Sequence, residues 1–366
     1  MRDRTNPPRG GASPVRFSSR VSSRGGHAWL VILAFLSTVL LPSTATAHGA
    51  DGLSDTDYLV TITSAPDLPG VTVRVVETGA RLELVNESSH PVEILGYEGE
   101  PYAEVRPDGL YLNQNSPAAY LNDAEDTTSP VPQFASAAAA PQWLKASDQS
   151  RIRWHDHRAG WMSQTPPPAA LADPQSSHRV LEWTVPLRVG TDHYVIAGAV
   201  DWLPPPQTPV WLAGALMLAA LITVVALTTA VKVRWIIPAL AGVAGAGALA
   251  DAVGRSVTAA DLESSWWLVL VAGQAWPALA GVAALAAAGY TIVGKPGADL
   301  AWGLAGVAMA LMAGLTRFGS FTSALTPTPW PGEVTRAMVL VTLGIGVGLA
   351  AAAFIFIRRQ PHPSAG

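Results

Sequence analysis

The stretch HYVIAGAVDWLPPPQTPVWLAGALMLAALITVVALTTAV, residues 193–231, contains the boundary between two unlike parts of the chain. Its first ten residues form an apolar run with Val and Ile that is typical of a β-strand. Three prolines at 204–206 follow as a stiff spacer, because consecutive prolines keep the backbone extended. The apolar run that begins at Val210 is long enough to cross a bilayer as a helix. The sequence therefore predicts a β domain before the spacer and membrane helices after it.

After the spacer, the sequence predicts an all-α bundle of about five transmembrane helices. Small residues dominate these helices, and the spacing of Gly242, Ala246 and Ala250 predicts a stripe on which helix backbones approach each other closely. No histidine occurs in any predicted span, which argues against haem ligation or a histidine relay within the membrane. The predicted spans are Val210–Val231, Trp235–Val253, Trp266–Val293, Leu300–Thr316 and Ala337–Ile357.

Polar residues inside the predicted spans are few. Asp251 and Arg255 are four residues apart and can pair on one helix face. Gln274 is the main polar side chain in the middle of a span, and Thr316 and Arg317 lie at an edge. An ionisable group within a membrane is a functional hypothesis by default. Because the ionisable residues Asp251, Arg255 and Arg317 lie near helix ends, the sequence favours a bundle that anchors the β domain over a transporter subunit.

Residues 1–47 have the three parts of a secretory signal peptide. Residues 1–27 carry six arginines, the apolar run Trp29–Leu41 is short for a membrane span, and Ala45 and Ala47 form a cleavage site. Cleavage there makes His48 the first mature residue; an uncleaved signal anchor is the alternative. Export places residues 48–203 outside the cytoplasm, followed by the spacer 204–209, the spans within 210–357 and a cytoplasmic tail, 358–366. The basic residues near the helix ends agree with this orientation, with five inside and three outside.

The exported segment is predicted to be one β domain. Short alternating runs such as Val71–Val76 and Arg81–Val85 are separated by turn signals, a pattern that predicts an immunoglobulin-like all-β sandwich. The segment has 21 acidic and 9 basic residues, which argues against nucleic acid as a partner. The expected partners are membrane lipid and a metal-handling or envelope protein. The chain has no cysteine, so any metal would be held by His, Met, carboxylates or the amino terminus.

The segment WHDHRAGWM, residues 154–162, is the densest cluster of candidate metal ligands. If the strand that starts at Arg151 continues through it, His155 and His157 lie on the same face, at the distance of a ligand pair. Two imidazoles suit Cu(II) or Zn(II), and Met162 adds a soft ligand for Cu(I). The structural alternative is a strand end at which the two histidines are polar rim residues beside core tryptophans.

The predicted signal cleavage adds a further ligand. An amino-terminal His48 offers its amine and its Nδ1 as a chelate, and with His155 and His157 it makes a four-nitrogen set suited to Cu(II). The stretch GYEGEPY, residues 96–102, offers Glu98 and Glu100 as candidate carboxylates for the same site. An aromatic-capped β-turn is the alternative interpretation of that stretch.

Four motifs resemble those of a family of uncharacterised actinobacterial membrane proteins: EGEPY (98–102), DGLYLN (108–113), SPAAYLN (116–122) and WHDHRAGWM (154–162). The resemblance covers nearly the whole mature chain and implies an exported β domain with a helical membrane anchor. Family members often carry a third histidine at the position of Gly160. Because this chain lacks that histidine, the predicted metal site depends more on His48 as a ligand. The amino-terminal histidine and the sandwich are also similar in plan to exported copper-binding proteins of the CopC and YcnI types, which implies copper.

No motif of a common catalytic class occurs in the chain, whether a nucleophile elbow, a zinc-protease helix, a phosphate loop or a dinucleotide fingerprint. We therefore expect no enzyme. The expected function is that of a membrane-anchored exported domain that binds a metal ion, with copper as the leading candidate. The alternative is a structural or protein-interaction module of the cell envelope, in which the WHDHR motif stabilises a loop.

Overall fold

The computed structural model describes residues 54–122, 131–228, 233–260 and 265–359. The predicted signal peptide and His48 lie outside these ranges. Within them, an antiparallel β domain from Tyr58 to Trp202 precedes a helical region from Thr208 to Arg359. The prediction of an all-β domain followed by a bundle of five membrane-length helices is confirmed.

The β domain has two antiparallel sheets of unequal size. The large sheet has the strand order β1-β10-β9-β4-β5-β6-β7, and the small sheet has the order β2-β3-β8. The strands are β1 (Tyr58–Ser64), β2 (Val71–Val76), β3 (Arg81–Asn86), β4 (Val92–Leu95), β5 (Pro101–Arg106), β6 (Gly109–Asn113), β7 (Trp143–Ser147), β8 (Arg151–Trp154), β9 (His178–Val189) and β10 (Asp192–Trp202).

The core of the β domain is formed by alternate residues of both sheets. In β8, Ile152 and Trp154 are buried, and they belong to the same apolar cluster as Leu187 and Ile196 of the large sheet. Successive side chains of a strand point to opposite faces, so Arg153 lies on the other face of the small sheet. That arginine donates from Nε to the fully buried Glu83 at 2.7 Å. The outer face of the small sheet therefore carries a buried ion pair.

The helical region contains five helices that are long and apolar enough to cross a membrane, which makes the chain a multi-pass membrane protein by length and composition. The spans comprise α3, α4, α6, α7 with its continuation to Arg317, and α9. The helices are α1 (Pro117–Leu121), α2 (Pro168–Ala172), α3 (Thr208–Thr228), α4 (Val233–Ala259), α5 (Trp266–Gly273), α6 (Ala275–Ile292), α7 (Ala298–Ala308), α8 (Gly319–Thr322) and α9 (Gly332–Arg359).

The third predicted span is interrupted, so the prediction of one helix over Trp266–Val293 is wrong. Helix α5 ends at Gly273, and α6 begins at Ala275. The physical reason is Pro277, which has no amide hydrogen to donate to the carbonyl of Gly273, four residues earlier. Gln274 lies at the break with its side chain buried. A polar residue is thus placed inside the bundle where the backbone ladder is interrupted.

Small residues allow close packing of the helices, but on a different stripe of α4 from the predicted one. A Cβ atom on Gly245 would lie 2.8 Å from the carbonyl oxygen of Gly281 in α6. By contrast, the position of a Cβ on Gly242 has nothing within 4 Å, and Ala246 is exposed. The packed stripe begins one residue earlier than the predicted one and advances by steps of four, three and four residues; its members are Ala241, Gly245, Ala248 and Ala252.

The proline spacer between the β domain and α3 is attached at both ends. The amide of Leu203 donates to the carbonyl of Asp57 at 2.8 Å, just before β1. At the other end, the Thr208 hydroxyl donates to the carbonyl of Phe321 in α8 at 2.7 Å. The spacer is therefore held by the β domain on one side and by the helical bundle on the other.

Candidate functional site

The WHDHRAGWM segment forms a turn rather than a continuing strand. Strand β8 ends at Trp154, and residues His157–Ala159 form a short 3-10 helix, so the prediction that the strand runs through His155 is wrong. Asp156 ends the strand because its carboxylate accepts a hydrogen bond from the backbone amide of Arg158 at 3.1 Å. A cap of this kind satisfies the free amide at the start of a helical turn.

Asp156 and Arg158 hold this turn against the β4–β5 connection. The buried Asp156 carboxylate accepts from the Trp154 indole at 2.9 Å and from the Nε and Nη2 atoms of Arg158, both at 2.8 Å. Arg158 in turn donates to the carbonyls of Leu95 and Gly96 at 3.1 and 3.2 Å. The ion pair of Asp156 with Arg158 therefore fixes the turn that carries the two histidines.

The rings of His155 and His157 lie together above this frame. Their centroids are 5.1 Å apart and their planes are nearly perpendicular, at 76°. Two imidazoles on one tetrahedral metal, with metal–nitrogen bonds of about 2.0–2.1 Å, have their ring centroids roughly 5 Å apart. The turn therefore brings the pair to the separation that a shared metal ion requires, although by a different backbone path from the predicted strand.

The nitrogen atoms of His155 have different environments. Nδ1 lies 2.8 Å from the carbonyl oxygen of Ala80, and because a carbonyl only accepts, Nδ1 carries the proton. Nε2 is then the acceptor; it is buried and has no hydrogen-bond partner among the described residues. Burial lowers the pKa of His155 below the usual value, against the opposing effect of the Ala80 hydrogen bond. A neutral imidazole with a fixed tautomer is the form that binds metals.

Tyr97 positions the backbone of His157. The Tyr97 hydroxyl accepts from the amide of His157 at 3.1 Å and donates to the side-chain oxygen of Asn122. Burial, together with the charge of Asp156, raises the pKa of Tyr97 to about 12, so the phenol stays protonated and remains a donor. Sequence reasoning did not assign Tyr97 or Asn122 to the site. The available signals were that Asn122 ends the SPAAYLN motif of the family resemblance and that Tyr97 lies in the GYEGEPY stretch.

Glu100 is used inside its own turn. Its carboxylate accepts from the Ser116 hydroxyl at 2.9 Å and from the amide of Glu98 at 3.0 Å, and its side chain is buried. The amide of Gly99 also donates to the carbonyl of Gly96 at 3.3 Å, which closes the turn. The observed contacts are those of the aromatic-capped turn, the alternative interpretation of this stretch.

The other predicted ligands are not brought to the histidine pair by a described contact. Met162 lies in the following loop, half-buried, with its sulfur 3.7 Å from the position that a Cβ on Gly160 would occupy. His48 lies outside the described residues. Within the described part of the chain, no group of three or more His, Asp or Glu side chains is arranged to hold a metal ion. The described site therefore consists of two imidazoles on a rigid turn.

A second buried polar cluster lies where the β domain meets the bundle. Asp251 accepts from Arg255 in the same helix at 3.4 Å, as its spacing predicted, and from Arg317 at 3.0 Å. Arg317 also donates to the side-chain oxygen of Gln274 at the break between α5 and α6. Arg255 reaches out of the bundle to Asp55, which precedes β1. We name the following five residues the arginine junction: Asp55, Asp251, Arg255, Gln274 and Arg317.

We name the turn formed by the WHDHRAGWM segment (154–162) the histidine turn. Strand β8 connects it with the arginine junction. Arg153, two residues before His155, donates from Nη1 to the carbonyl of Ala260 at 3.0 Å, just beyond the end of α4. Arg255 lies in the last turns of the same helix. The end of the β domain that carries the histidine pair therefore faces the helical bundle.

Comparisons of the chain with models of protein families, with curated proteins and with solved structures found no match. The functional argument consequently depends on the geometry of these two clusters.

Proposed function

We propose that the β domain lies outside the cytoplasm, anchored by the bundle, and that it binds a copper ion through His155 and His157. The buried Nε2 atom of His155, which has no hydrogen-bond partner among the described residues, is the observation that carries the proposal. Leaving a buried acceptor unsatisfied costs about 1–3 kcal/mol. Coordination of a cation by that lone pair would offset this cost.

Copper is the metal that the donor set favours. Imidazole nitrogens suit copper and zinc, and among divalent ions of the first row copper binds most tightly to a given nitrogen site. Two imidazoles leave coordination positions to be filled. Met162 and the amine of an amino-terminal His48 stay predicted ligands for these positions. The proposed activity is binding without chemical conversion of a substrate.

The test of the copper site is the double variant His155→Ala/His157→Ala in the full chain. We expect copper affinity, measured by competition with a chromophoric chelator, to fall by about tenfold or more. The matched control is His90→Ala/His193→Ala, which removes two exposed histidines of the same domain and is expected to leave the affinity unchanged. Equal affinity of the two double variants would contradict the proposal.

The alternative function, a structural or protein-interaction module of the envelope, is favoured by one specific observation. Trp154, Asp156 and Arg158 are all engaged in contacts that hold the turn to the β4–β5 connection. Unchanged copper binding in the His155/His157 variant would leave this structural role as the explanation of the motif.

The proposed orientation follows from the basic residues. Lys295, between α6 and α7, and Arg358 and Arg359, at the end of α9, lie at the bundle end away from the β domain and are exposed. The basic residues at the opposite end, Arg255 and Arg336, are buried and paired, so they do not act as free loop charges. This asymmetry favours a cytoplasmic location for the exposed set.

The absence of cysteine makes the orientation simple to test. Single cysteines at the exposed positions Thr191 and Lys295 would be labelled in intact cells with a thiol reagent that does not cross membranes. We expect labelling at Thr191→Cys and none at Lys295→Cys until the cells are lysed. The reverse pattern would place the β domain in the cytoplasm.

A further inference from the structure

The membrane helices contribute an unbalanced set of charges to the arginine junction. Arg255 is 4% exposed and Asp251 is 4% exposed, and the Arg317 side chain is also largely buried. The helices therefore supply two guanidinium groups and a single carboxylate. Buried charges are stable only when they are paired and hydrogen-bonded. A second carboxylate is needed for neutrality.

The β domain supplies that carboxylate. Oδ1 of Asp55 lies 3.1 Å from Nη2 of Arg255, and the Asp55 side chain is 10% exposed. The same guanidinium nitrogen donates at 2.9 Å to the hydroxyl of Ser320, which lies in α8 within the α7–α9 connection. With Asp55 in place, the junction has two positive and two negative charges.

The residues next to Asp55 hold it in position. Thr56 and Leu325 exchange two backbone hydrogen bonds, of 3.1 and 2.8 Å, as an isolated antiparallel bridge. The Asp57 carboxylate accepts from the amide of Ala324 at 2.7 Å. We name residues 54–57 the clamp segment. Thr56 and the Asp57 side chain contact the connection between α7 and α9, whereas Asp55 reaches Arg255 in α4.

The receiving connection is itself ordered by a buried arginine of α9. Arg336 donates to the carbonyls of Ser320, Ser323 and Ala324 at 3.0, 2.9 and 2.7 Å. Three backbone carbonyls of one loop are thereby gathered around one guanidinium. The connection is therefore already ordered where Thr56 binds to it. Docking of the clamp segment then requires little further ordering of the bundle.

We propose that the clamp segment is a strap whose Asp55 carboxylate is the counter-ion of the buried arginine pair, so that the β domain stays docked on the bundle only while this site is charge-balanced. Release of the strap leaves one unmatched positive charge in the junction. Undocking is therefore linked to the entry of another anion. The proposal does not depend on copper binding.

Chemical rescue tests the counter-ion directly. In the full chain in detergent, Asp55→Ala should lower the thermal unfolding midpoint, and formate, a small carboxylate, should raise it again in a concentration-dependent manner. The matched control is Asp201→Ala, which removes the aspartate of the half-exposed Arg179–Asp201 pair in the same domain. We expect a smaller loss there and no specific rescue by formate over chloride. Equal losses, or equal formate effects in both variants, would overturn the proposal.

An engineered disulfide tests the docking itself. In a hydrogen-bonded antiparallel pair the Cα atoms are about 5.5 Å apart, which is within the range for a disulfide. Thr56→Cys/Leu325→Cys in the otherwise cysteine-free chain should crosslink on mild oxidation, and Ser64→Cys/Leu325→Cys should not. Adding Asp55→Asn, which keeps the size of the side chain and removes its charge, should slow the crosslink at least severalfold. An unchanged crosslinking rate would show that the strap docks without its counter-ion and would overturn the proposal.

Discussion

The histidine turn and the arginine junction are both buried polar clusters, but only one of them is internally complete. In the junction, the two arginines, the two aspartates and Gln274 bind one another. In the turn, Asp156 and Arg158 are satisfied, whereas Nε2 of His155 has no partner among the described residues. A fully paired network stabilises structure. The unpaired Nε2 atom is the observation on which the proposal of a copper site rests.

The largest expected effect comes from breaking the complete cluster. Arg255→Ala removes the guanidinium that pairs with both Asp251 and Asp55. Both buried carboxylates lose this positive partner, so we expect a loss of about 3–5 kcal/mol in the free energy of unfolding. Denaturant unfolding of the full chain in detergent measures this loss. Arg179→Ala, at a half-exposed pair, should cost about 1 kcal/mol or less. Similar losses for the two variants would show that the ion pairs of the junction stabilise the protein no more than a surface pair does.

A loss of stability of intermediate size is expected when the ion pair of Glu83 with Arg153 is broken. Arg153 links the histidine turn to the helical region through its bond to Ala260. Burial alone would raise the pKa of Glu83, but hydrogen bonds from Arg74 and Arg153 outweigh it and hold the pKa below its usual value. A carboxyl with a lowered pKa in the folded state stabilises the protein above its unfolded pKa of about 4.3, and this stabilisation is lost as the pH falls through the folded value.

Glu83→Gln tests this link. We expect the variant to be less stable than the wild type at pH 7 by about 1–3 kcal/mol and to lose less stability on acidification below pH of about 4.3. Unfolding midpoints measured as a function of pH provide both numbers. Parallel pH curves for the two proteins would show that another group is responsible for the acid sensitivity.

The smallest effect on stability is expected from the incomplete cluster. His155→Ala removes one hydrogen bond, that from Nδ1 to Ala80, and also removes the unsatisfied Nε2, so the metal-free protein should change by about 1 kcal/mol or less. Thermal unfolding in the presence of a chelator measures this change. A loss as large as that of Arg255→Ala would show that the histidine supports the fold, and the contrast between the two clusters would disappear.

The overall architecture was predictable because its signals are local. The alternation in Val71–Val76 and the long apolar run after Val210 each indicate one type of element without knowledge of the rest of the chain. The pairing of Asp251 with Arg255 was likewise predictable from their spacing on one helix. Periodicity alone did not give the packed face of α4, since neighbouring stripes of small residues have the same spacing.

The site was only partly predictable because its contacts are distant in sequence. The proximity of His155 and His157 was expected from strand geometry, but a turn capped by Asp156 produces it. No local pattern marks Asp55 as a partner of Arg255, 200 residues away. The helix break at Gln274 did have a local signal in Pro277, which the apolar character of the segment outweighed.

The attachment of the proline spacer at both of its ends has a consequence for any encounter with another molecule. A domain on a flexible linker takes many positions relative to its anchor and meets partners at many distances from it. Here the bonds at Leu203 and Thr208 turn the spacer into a short strut. Together with the contacts of Arg153 and Asp55 with the helical region, this short connection keeps the histidine pair close to the bundle.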